Sequence, residues 1–460
     1  MSRRDMLKST TGLFALGGIL DYAISAEYIE EKSIDFEGDD NIKVPDKPLT
    51  FIVIGAGNRG NVYASYALKY PKEMKIVGEA EPILFRNERF AKKYDIDGRY
   101  RFDTWEDVFK VKKFADAVII TTPDHLHYGP AMEALDMGYD VILEKVVAQT
   151  WQECNDILKS AKKNDRIVAV CHVLRYTPYF RKMKEIVDSG TLGELVSIMH
   201  LEPVGHVHYA HSFVRGNWRN TAESNPMILS KSCHDLDILR WLIGKPCKLI
   251  SSFGSQTLCK AENAPEGSTD RCTNGCKIEP QCPFSALKIY YRNHTWLSHF
   301  DLPEEGDRDP AILKAIKEGQ YGRCVYHCDN DVVDHQVVSM EFEDSITANF
   351  SMEAFTHYGG RRTRIMFTMG DIVGDSEDLI VGNFRTDKVT KWNVKENAKI
   401  DSGHGGGDYR LVRDFIQAVN QRDPRLLTST IDASMESHLM GFMAEKSRHE
   451  NKIMKVDMTM

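Results

Sequence analysis

The sequence has no apolar run of the roughly 20 residues needed to cross a bilayer, so no integral membrane segment is expected in the mature chain. It also lacks an excess of positive charge: 59 Lys and Arg are outnumbered by 67 Asp and Glu, for a formal net charge of -8. That balance offers no general attraction to phosphate backbones or anionic lipid, and no nucleic-acid partner is expected. Nor is any internal repeat evident. What remains is the composition of an ordinary globular enzyme, 42% hydrophobic and 27% charged, in 460 residues that can form two substantial cores.

Ten cysteines do not fix the redox compartment. Cys154, Cys171, Cys233 and Cys247 sit in apolar or regular-looking surroundings, where buried free thiols are common. Cys259, Cys272, Cys276 and Cys282, followed by Cys324 and Cys328, are denser. Their spacing is compatible with a structural zinc, with disulfides or with reduced thiols, and a metal remains unassigned.

At the N-terminus, Ser2-Arg3-Arg4-Asp5-Met6-Leu7-Lys8 precedes a largely apolar stretch with Leu13, Phe14, Leu16, Ile19 and Leu20, and Ile24-Ser25-Ala26 suits a processing site. The order resembles a twin-arginine export signal over residues 1–30, which implies a folded protein carried to the periplasm or otherwise exported. Asp21 and Tyr22 interrupt the apolar segment, so the alternative is a frayed helix of a cytoplasmic protein. Residues 31–48, acidic and with two prolines, read as a linker or arm.

From residue 49 the pattern is βαβ. Phe51-Ile52-Val53-Ile54 lacks polar alternation, as a parallel strand buried on both faces does. Asn61 to Tyr70 suits a helix, Lys75 to Ala80 a strand, Ile83 to Tyr94 a helix, Ala117 to Ile120 a strand, Gly129 to Met137 a helix and Val141 to Leu143 a strand. This predicts an α/β Rossmann domain with a parallel sheet over residues 49–171. Residues 172–460 are expected to form an α+β domain with a large, mainly antiparallel open sheet. Pro178 to Ser189 reads as a helix, Leu195 to Leu201, Val337 to Phe342, Ile346 to Met352 and Thr363 to Thr368 as strands, and Asp408 to Val419 as a late helix. A Cys-rich insertion over about 259–335 has no assignable structure.

Chemistry-bearing residues follow the strands. Gly55-Ala56-Gly57-Asn58-Arg59-Gly60 is a G-x-G-x-x-G loop directly after a strand. Gly55 permits the turn, Gly57 leaves room for a pyrophosphate, and Gly60 lets helix and strand pack, with helix N–H groups facing the anion. Glu81, 21 residues beyond Gly60, suits the adenosine ribose hydroxyls and repels a 2′-phosphate, so NAD is expected over NADP, although Arg86 could meet a phosphate. Thr122, Pro123 and His127 occupy a loop at the carboxyl end of a strand, where an open α/β sheet places its ligand. Lys145 would enter the same crevice and polarise a substrate oxygen, while Glu144 orients it or meets the nicotinamide ribose. The bland alternative is a surface ion pair.

On the substrate side, His234 and Asp237 share a helix face if both are helical. His234 could exchange a proton with a hydroxyl, and Asp237 orient its ring or bind a second hydroxyl; Lys231 could instead pair with Asp235 along the helix. Alternation places His206 and His208 on one strand face, near His211. Trp218 and Arg219 are candidates for an aromatic wall and a polar contact. Arg175 is a further pocket candidate, and His404, before Gly405-Gly406-Gly407-Asp408, stands at a helix start.

Taken together, the glycine loop, Glu81, Thr122-Pro123 with His127, Glu144-Lys145, Arg175 with Pro178, and His234 with Asp237 resemble the glucose-fructose oxidoreductase, inositol dehydrogenase and rhizopine-catabolism (Gfo/Idh/MocA) family over most of residues 50–430. The resemblance implies NAD held between the Rossmann edge and the second sheet, a small carbohydrate or polyol substrate, and a homo-oligomer formed through that sheet. It implies Lys145 beside the reacting hydroxyl and His234 as acid/base. Two departures stand out: Val146 replaces the proline of the family's Glu-Lys-Pro, and Ser230 stands where dehydrogenases of the family often carry Asp, four residues before the histidine. The family also contains glycoside hydrolases that retain NAD and oxidise their substrate transiently, which is the alternative activity. A non-catalytic NAD-binding sensor is a third reading.

Overall fold

The structure is a computed structural model that describes residues 29–30, 43–398 and 400–459; the twin-arginine-like run and most of the expected arm lie outside the described residues. Continuous apolar runs produce the first sheet. Strands β1 (Leu49–Ile54), β2 (Met74–Ala80), β3 (Arg101–Phe102), β4 (Ala117–Ile120), β5 (Asp140–Leu143) and β6 (Val168–Val170) are all parallel, in the order β3-β2-β1-β4-β5-β6. The order reverses between β1 and β4, the place where such sheets open a ligand crevice. Phe51, Ile52 and Val53 have no exposed surface, as burial on both faces requires.

Helices α1 (Asn58–Lys69), α2 (Leu84–Tyr94), α3 (Tyr128–Asp136) and α4 (Trp151–Lys163) cross between these strands. Helix α4 begins with a capping box, Thr150 accepting from the Glu153 N–H while Glu153 accepts from Thr150. After α5 (Pro178–Asp188) and α6 (Cys233–Ile243) come two late helices, α7 (Gly407–Gln421) and α8 (Ile431–Glu450).

The second sheet has ten strands. Ile29–Glu30 lies at one edge, followed in space by β14 (Lys388–Asn393), β13 (Asp378–Asn383), β12 (Gly370–Gly374), β11 (Arg362–Phe367), β7 (Leu195–Pro203), β10 (Thr347–Glu353), β9 (His335–Phe342), β8 (Cys247–Ser255) and β15 (Met454–Lys455). All pairings are antiparallel except β7 with β10 and the edge strand with β14. Residues in β9 alternate buried and exposed, so one face covers α6 and α8 while Met199, Phe253, Val337 and Met366 point outward, each about half exposed or more.

Helix α7 belongs spatially to the first domain, although it lies within the span expected to form the second. Leu411, Val412, Phe415 and Ile416, at helical spacing, are fully buried with Phe51, Val53, Tyr63 and Ala169 under the parallel sheet. At about 1.5–3 kcal/mol per side chain, their burial contributes on the order of 6–12 kcal/mol. The insertion forms its own small core of Ala286, Ile289, Tyr290, Phe300, Ile312 and Ile316. All ten cysteines are free thiols, and among the described residues no group of His, Cys, Asp or Glu is arranged to hold a metal ion.

Candidate active site

The glycine loop has the shape its sequence requires. Gly55 has φ of 92°, and a Cβ there would lie 2.7 Å from the Thr121 carbonyl oxygen; one on Gly60 would lie 2.2 Å from that of Gly55. A Cβ on Gly57 would meet nothing within 4 Å, so the space above it is open. Helix α1 begins at Asn58 with no acidic residue in its first turn, leaving its N–H groups and dipole to an anion. The site therefore fits a dinucleotide pyrophosphate. Glu81 ends the next strand, accepts from the Ile83 N–H at 3.0 Å, and burial raises its carboxyl above the usual range. Arg86, which could have met a 2′-phosphate, is held bidentately by Asp301 at 2.7 and 3.1 Å.

Behind the loop, Glu144 is fixed from three sides. Its Oε1 accepts from Arg59 Nε at 2.7 Å and from the Tyr63 hydroxyl at 2.9 Å, and its Oε2 from the Lys145 N–H at 2.7 Å. Burial alone would raise its carboxyl, but the charges of Arg59 and Lys145 hold it below the usual range. Arg59 also reaches Asp408 of α7 at 2.8 Å. The side chain of this loop residue thus ties the cofactor loop to the end of β5 and to α7.

Lys145 lies just after β5 and reaches toward the second domain. Its Nζ donates to the Ser230 carbonyl oxygen at 2.6 Å and stands 5.6 Å from the centre of the Trp218 ring. Burial would lower its pKa, but Cys233 and the carboxylates of Asp124 and Glu144 more than offset this, so Lys145 stays an ammonium. Its contact to Ser230 is with the main chain; the Ser230 hydroxyl turns back to the Pro226 carbonyl at 3.2 Å. Asp124 joins the two domains, accepting from Trp218 Nε1 at 3.1 Å, Ser224 Oγ at 3.0 Å and Asn225 Nδ2 at 3.2 Å. The Lys145–Val146 peptide bond is cis.

His234 begins α6, one turn beyond Ser230. It is 9% exposed, and its Nδ1 is buried without a hydrogen-bond partner. Burial, then the charge of Lys145, then His172, Arg361 and His404 push its pKa well below the usual histidine value. It is a neutral imidazole at neutral pH, able to receive a proton. An ammonium and a neutral imidazole on one crevice are what oxidation of an alcohol uses: one favours negative charge on the oxygen, the other takes the proton.

Other sequence candidates are engaged with protein partners. Arg175 and Asp237, both buried, are spent on each other: Arg175 Nε and Nη2 donate to Asp237 at 2.7 and 2.6 Å, Arg175 also donates to the Thr428 and Ala433 carbonyls, and Ser437 donates to Asp237. Two opposite charges taken out of water hold each other, which leaves the pair engaged inside the protein. His127 is 1% exposed and braces the loop between the Val146 and Thr122 carbonyl oxygens, at 2.6 and 3.0 Å. The Thr122 hydroxyl donates to the Leu126 carbonyl at 3.1 Å, which shapes the same loop through Pro123. His206 and His208 lie in a helical turn, His206–Tyr209, rather than a strand, because the chain turns at Gly205 after β7 ends; the His206 ring packs on Phe284. Arg219 pairs with Asp329 and Glu223. Lys231 pairs with Glu202, not Asp235, whose partners are Arg361 and His200.

Three further residues stand at the site. His172, two residues past β6, lies fully buried with its Nε2 3.6 Å from Asp237 Oδ1 and its ring edge-on to His234 at 6.0 Å. Burial pushes its pKa down to about 3. Its position just past a parallel strand's carboxyl end was the available signal. Arg361 reaches His234 by its charge from a loop before β11 and gave no sequence signal. His404 stands 6.2 Å from His234, ring to ring.

Similarity to known proteins agrees with this geometry. Among curated proteins, the protein YteT of Bacillus subtilis (strain 168) is 25% identical over 331 residues, 68% of this chain and 74% of that protein. A 2,7-anhydro-N-acetylneuraminate hydratase of Mediterraneibacter gnavus is 23% identical over 224 residues, 47% of this chain and 55% of that one. In fold, an inositol dehydrogenase homolog from Azotobacter vinelandii, solved in complex with NAD+, superposes with a TM-score of 0.65 at 15% identity, covering 90% of this chain and 99% of its own. The family described as an oxidoreductase family with an NAD-binding Rossmann fold matches residues 49–172, and its C-terminal alpha/beta domain matches residues 184–458. The chain belongs to the Gfo/Idh/MocA family of NAD-binding oxidoreductases.

Proposed function

We propose that this oxidoreductase acts on a secondary hydroxyl of a small sugar, inositol or related polyol held between Lys145 and His234. Bound NAD supplies the two-electron acceptor or donor. Lys145 holds the reacting oxygen and favours negative charge on it, and His234 takes its proton; Glu144 fixes the backbone of Lys145 through the hydrogen bond to its N–H. The observation that carries this reading is the placement of Lys145, just after β5 and bonded to the Ser230 carbonyl, and of His234, one turn beyond Ser230, beside the dinucleotide crevice. The A. vinelandii neighbour, an inositol dehydrogenase homolog, supports a polyol substrate. The test is a panel of polyols and sugars with NAD+, scored by NADH formation; no NADH from any of them would refute it.

A second reading is favoured by one observation, the similarity to the M. gnavus hydratase. In it the same residues oxidise the substrate transiently, a bond is cleaved or water added, and the hydride returns. Turnover of a glycoside or anhydrosugar without net NADH would establish it over the first. Retention of NAD with neither activity would favour a sensor.

Two further elements of the proposal concern location and assembly. The Arg3-Arg4 run followed by an apolar stretch supports export of the folded protein, tested by cell fractionation of the full chain against an Arg3→Lys/Arg4→Lys variant. The outward Met199, Phe253, Val337 and Met366 support a homo-oligomer paired through the open sheet, tested by light scattering of Phe253→Glu.

A further inference from the structure

His234 has a peculiarity that its role as proton acceptor makes consequential. His234 is buried, the ammonium of Lys145 and the guanidinium of Arg361 oppose its protonation, and Ser230 stands where a carboxylate could have offset them. A proton taken from substrate therefore has to leave quickly. The most accessible neighbour is His404, whose side chain is 42% exposed and whose ring lies 6.2 Å from that of His234.

His404 is held for such a task. Its Nδ1 lies 3.1 and 3.2 Å from the two oxygens of Asp408, so Nδ1–H donates to the carboxylate and Nε2 is the ring atom left for another partner. Asp408 has no exposed surface and is fixed by Arg59 at 2.8 Å, the residue whose Nε holds Glu144; Arg59 Nη1 also lies 3.5 Å from His404 Nδ1. His404 itself has φ of 48°, a left-handed backbone that side chains disfavour, between Gly403 and the positive-φ pair Gly405 and Gly406. The loop is thus bent to place one imidazole, backed by a buried carboxylate, beside His234.

We propose that His404, oriented by Asp408, is the proton-carrying partner of His234. This rests on the oxidation reading above. The substrate carbon gives up its hydrogen with two electrons to NAD+ and becomes a carbonyl; the hydroxyl O–H bond breaks, and the proton passes to His234, then to His404 Nε2, then to bulk water. Asp408 stabilises the transient imidazolium, and both histidines return to neutral. In the reverse direction the same path delivers a proton to the nascent hydroxyl.

The test compares wild type with His404→Ala, His404→Gln and Asp408→Asn, using a polyol that the wild type oxidises. His404→Ala should lose about 10- to 100-fold in kcat, with KM and NAD affinity within about twofold of wild type, and free imidazole should restore several-fold of the loss. Histidine 15N NMR of the folded protein, independent of turnover, should show His404 as the Nδ1–H tautomer and a mixture in Asp408→Asn. A kcat for His404→Ala within twofold of wild type would overturn the relay alone. So would a loss that imidazole does not restore and that tracks NAD affinity, or an Nε2–H tautomer in the wild type. If the wild type reduces NAD+ with no member of the panel, the oxidation reading falls and the relay falls with it.

Discussion

Replacing Arg175 by Met tests whether the Arg175–Asp237 pair is a strut or a substrate contact. Asp237 is 1% exposed and takes two of its hydrogen bonds from the guanidinium; without it, only the Ser437 hydroxyl donates, and the His172 ring stays 3.6 Å away. Breaking one side of a buried pair costs about 3–5 kcal/mol, because the remaining charge is stranded. Asp237→Leu should cost a similar amount, softened by the Thr428 and Ala433 carbonyls that still accept from Arg175. The double variant Arg175→Met/Asp237→Leu removes both charges and should recover to within about 1 kcal/mol of wild type. Urea unfolding followed by tryptophan fluorescence reads this directly, since the Arg175 guanidinium sits 5.9 Å from the Trp241 ring. In the folded fraction of each variant, KM for the polyol should stay within about threefold of wild type. A single-variant cost below about 1 kcal/mol together with a tenfold rise in KM would refute the reasoning, because it would mean that Arg175 meets substrate.

Lys145→Met and His234→Asn should each lower kcat/KM by about two to four orders of magnitude while NAD binding, followed by fluorescence titration, stays near wild type; retained activity in both would remove their roles. Gly57→Ala should fold normally, since its Cβ meets no protein atom within 4 Å, yet bind NAD at least about tenfold more weakly as measured by calorimetry, because the methyl would occupy the pyrophosphate space. Asp408 should make stability acid-sensitive. Burial raises its carboxyl, but His404 and Arg59 more than offset that and hold it down to about 2. A depressed carboxyl stabilises fully above its unfolded value near 4, and that contribution, about 2 kcal/mol, is lost as pH falls toward 2. Asp408→Asn should flatten this part of an acid-unfolding curve, and an unchanged curve would show that the ion pairs contribute nothing.

What could be read from the sequence is what local rules decide. The strands from Phe51 to Leu143 announce themselves by uninterrupted apolar runs, and the glycine loop by the geometry each glycine permits. The hairpin of β9 and β10 follows from alternation on both sides of Glu343-Asp344-Ser345. The site was legible where a polar residue directly ends a parallel strand, as at Glu81 and Glu144-Lys145. It was not legible where meaning comes from a partner far along the chain. Arg175 and Asp237 are 62 residues apart, and each alone looks like a pocket residue. His206 and His208 alternate over too short a stretch to distinguish strand from helix, and only the turn at Gly205 decides it. His404 comes 170 residues after His234, so its nearness is a product of tertiary packing.

The return of α7 to the first sheet sets the order in which the molecule can be made. Residues from Asn58 to Val170 leave the ribosome early, but the core that Phe51, Val53 and Tyr63 share with α1 stays incomplete until Leu411, Val412, Phe415 and Ile416 arrive. Those four side chains are worth on the order of 6–12 kcal/mol, comparable with the whole stability of a typical domain. The nascent dinucleotide domain must therefore wait, open on one side, through some 240 further residues of synthesis, at the roughly 5–20 residues per second of translation. A chain released before the last helices would expose apolar surface for chaperones or proteases to find.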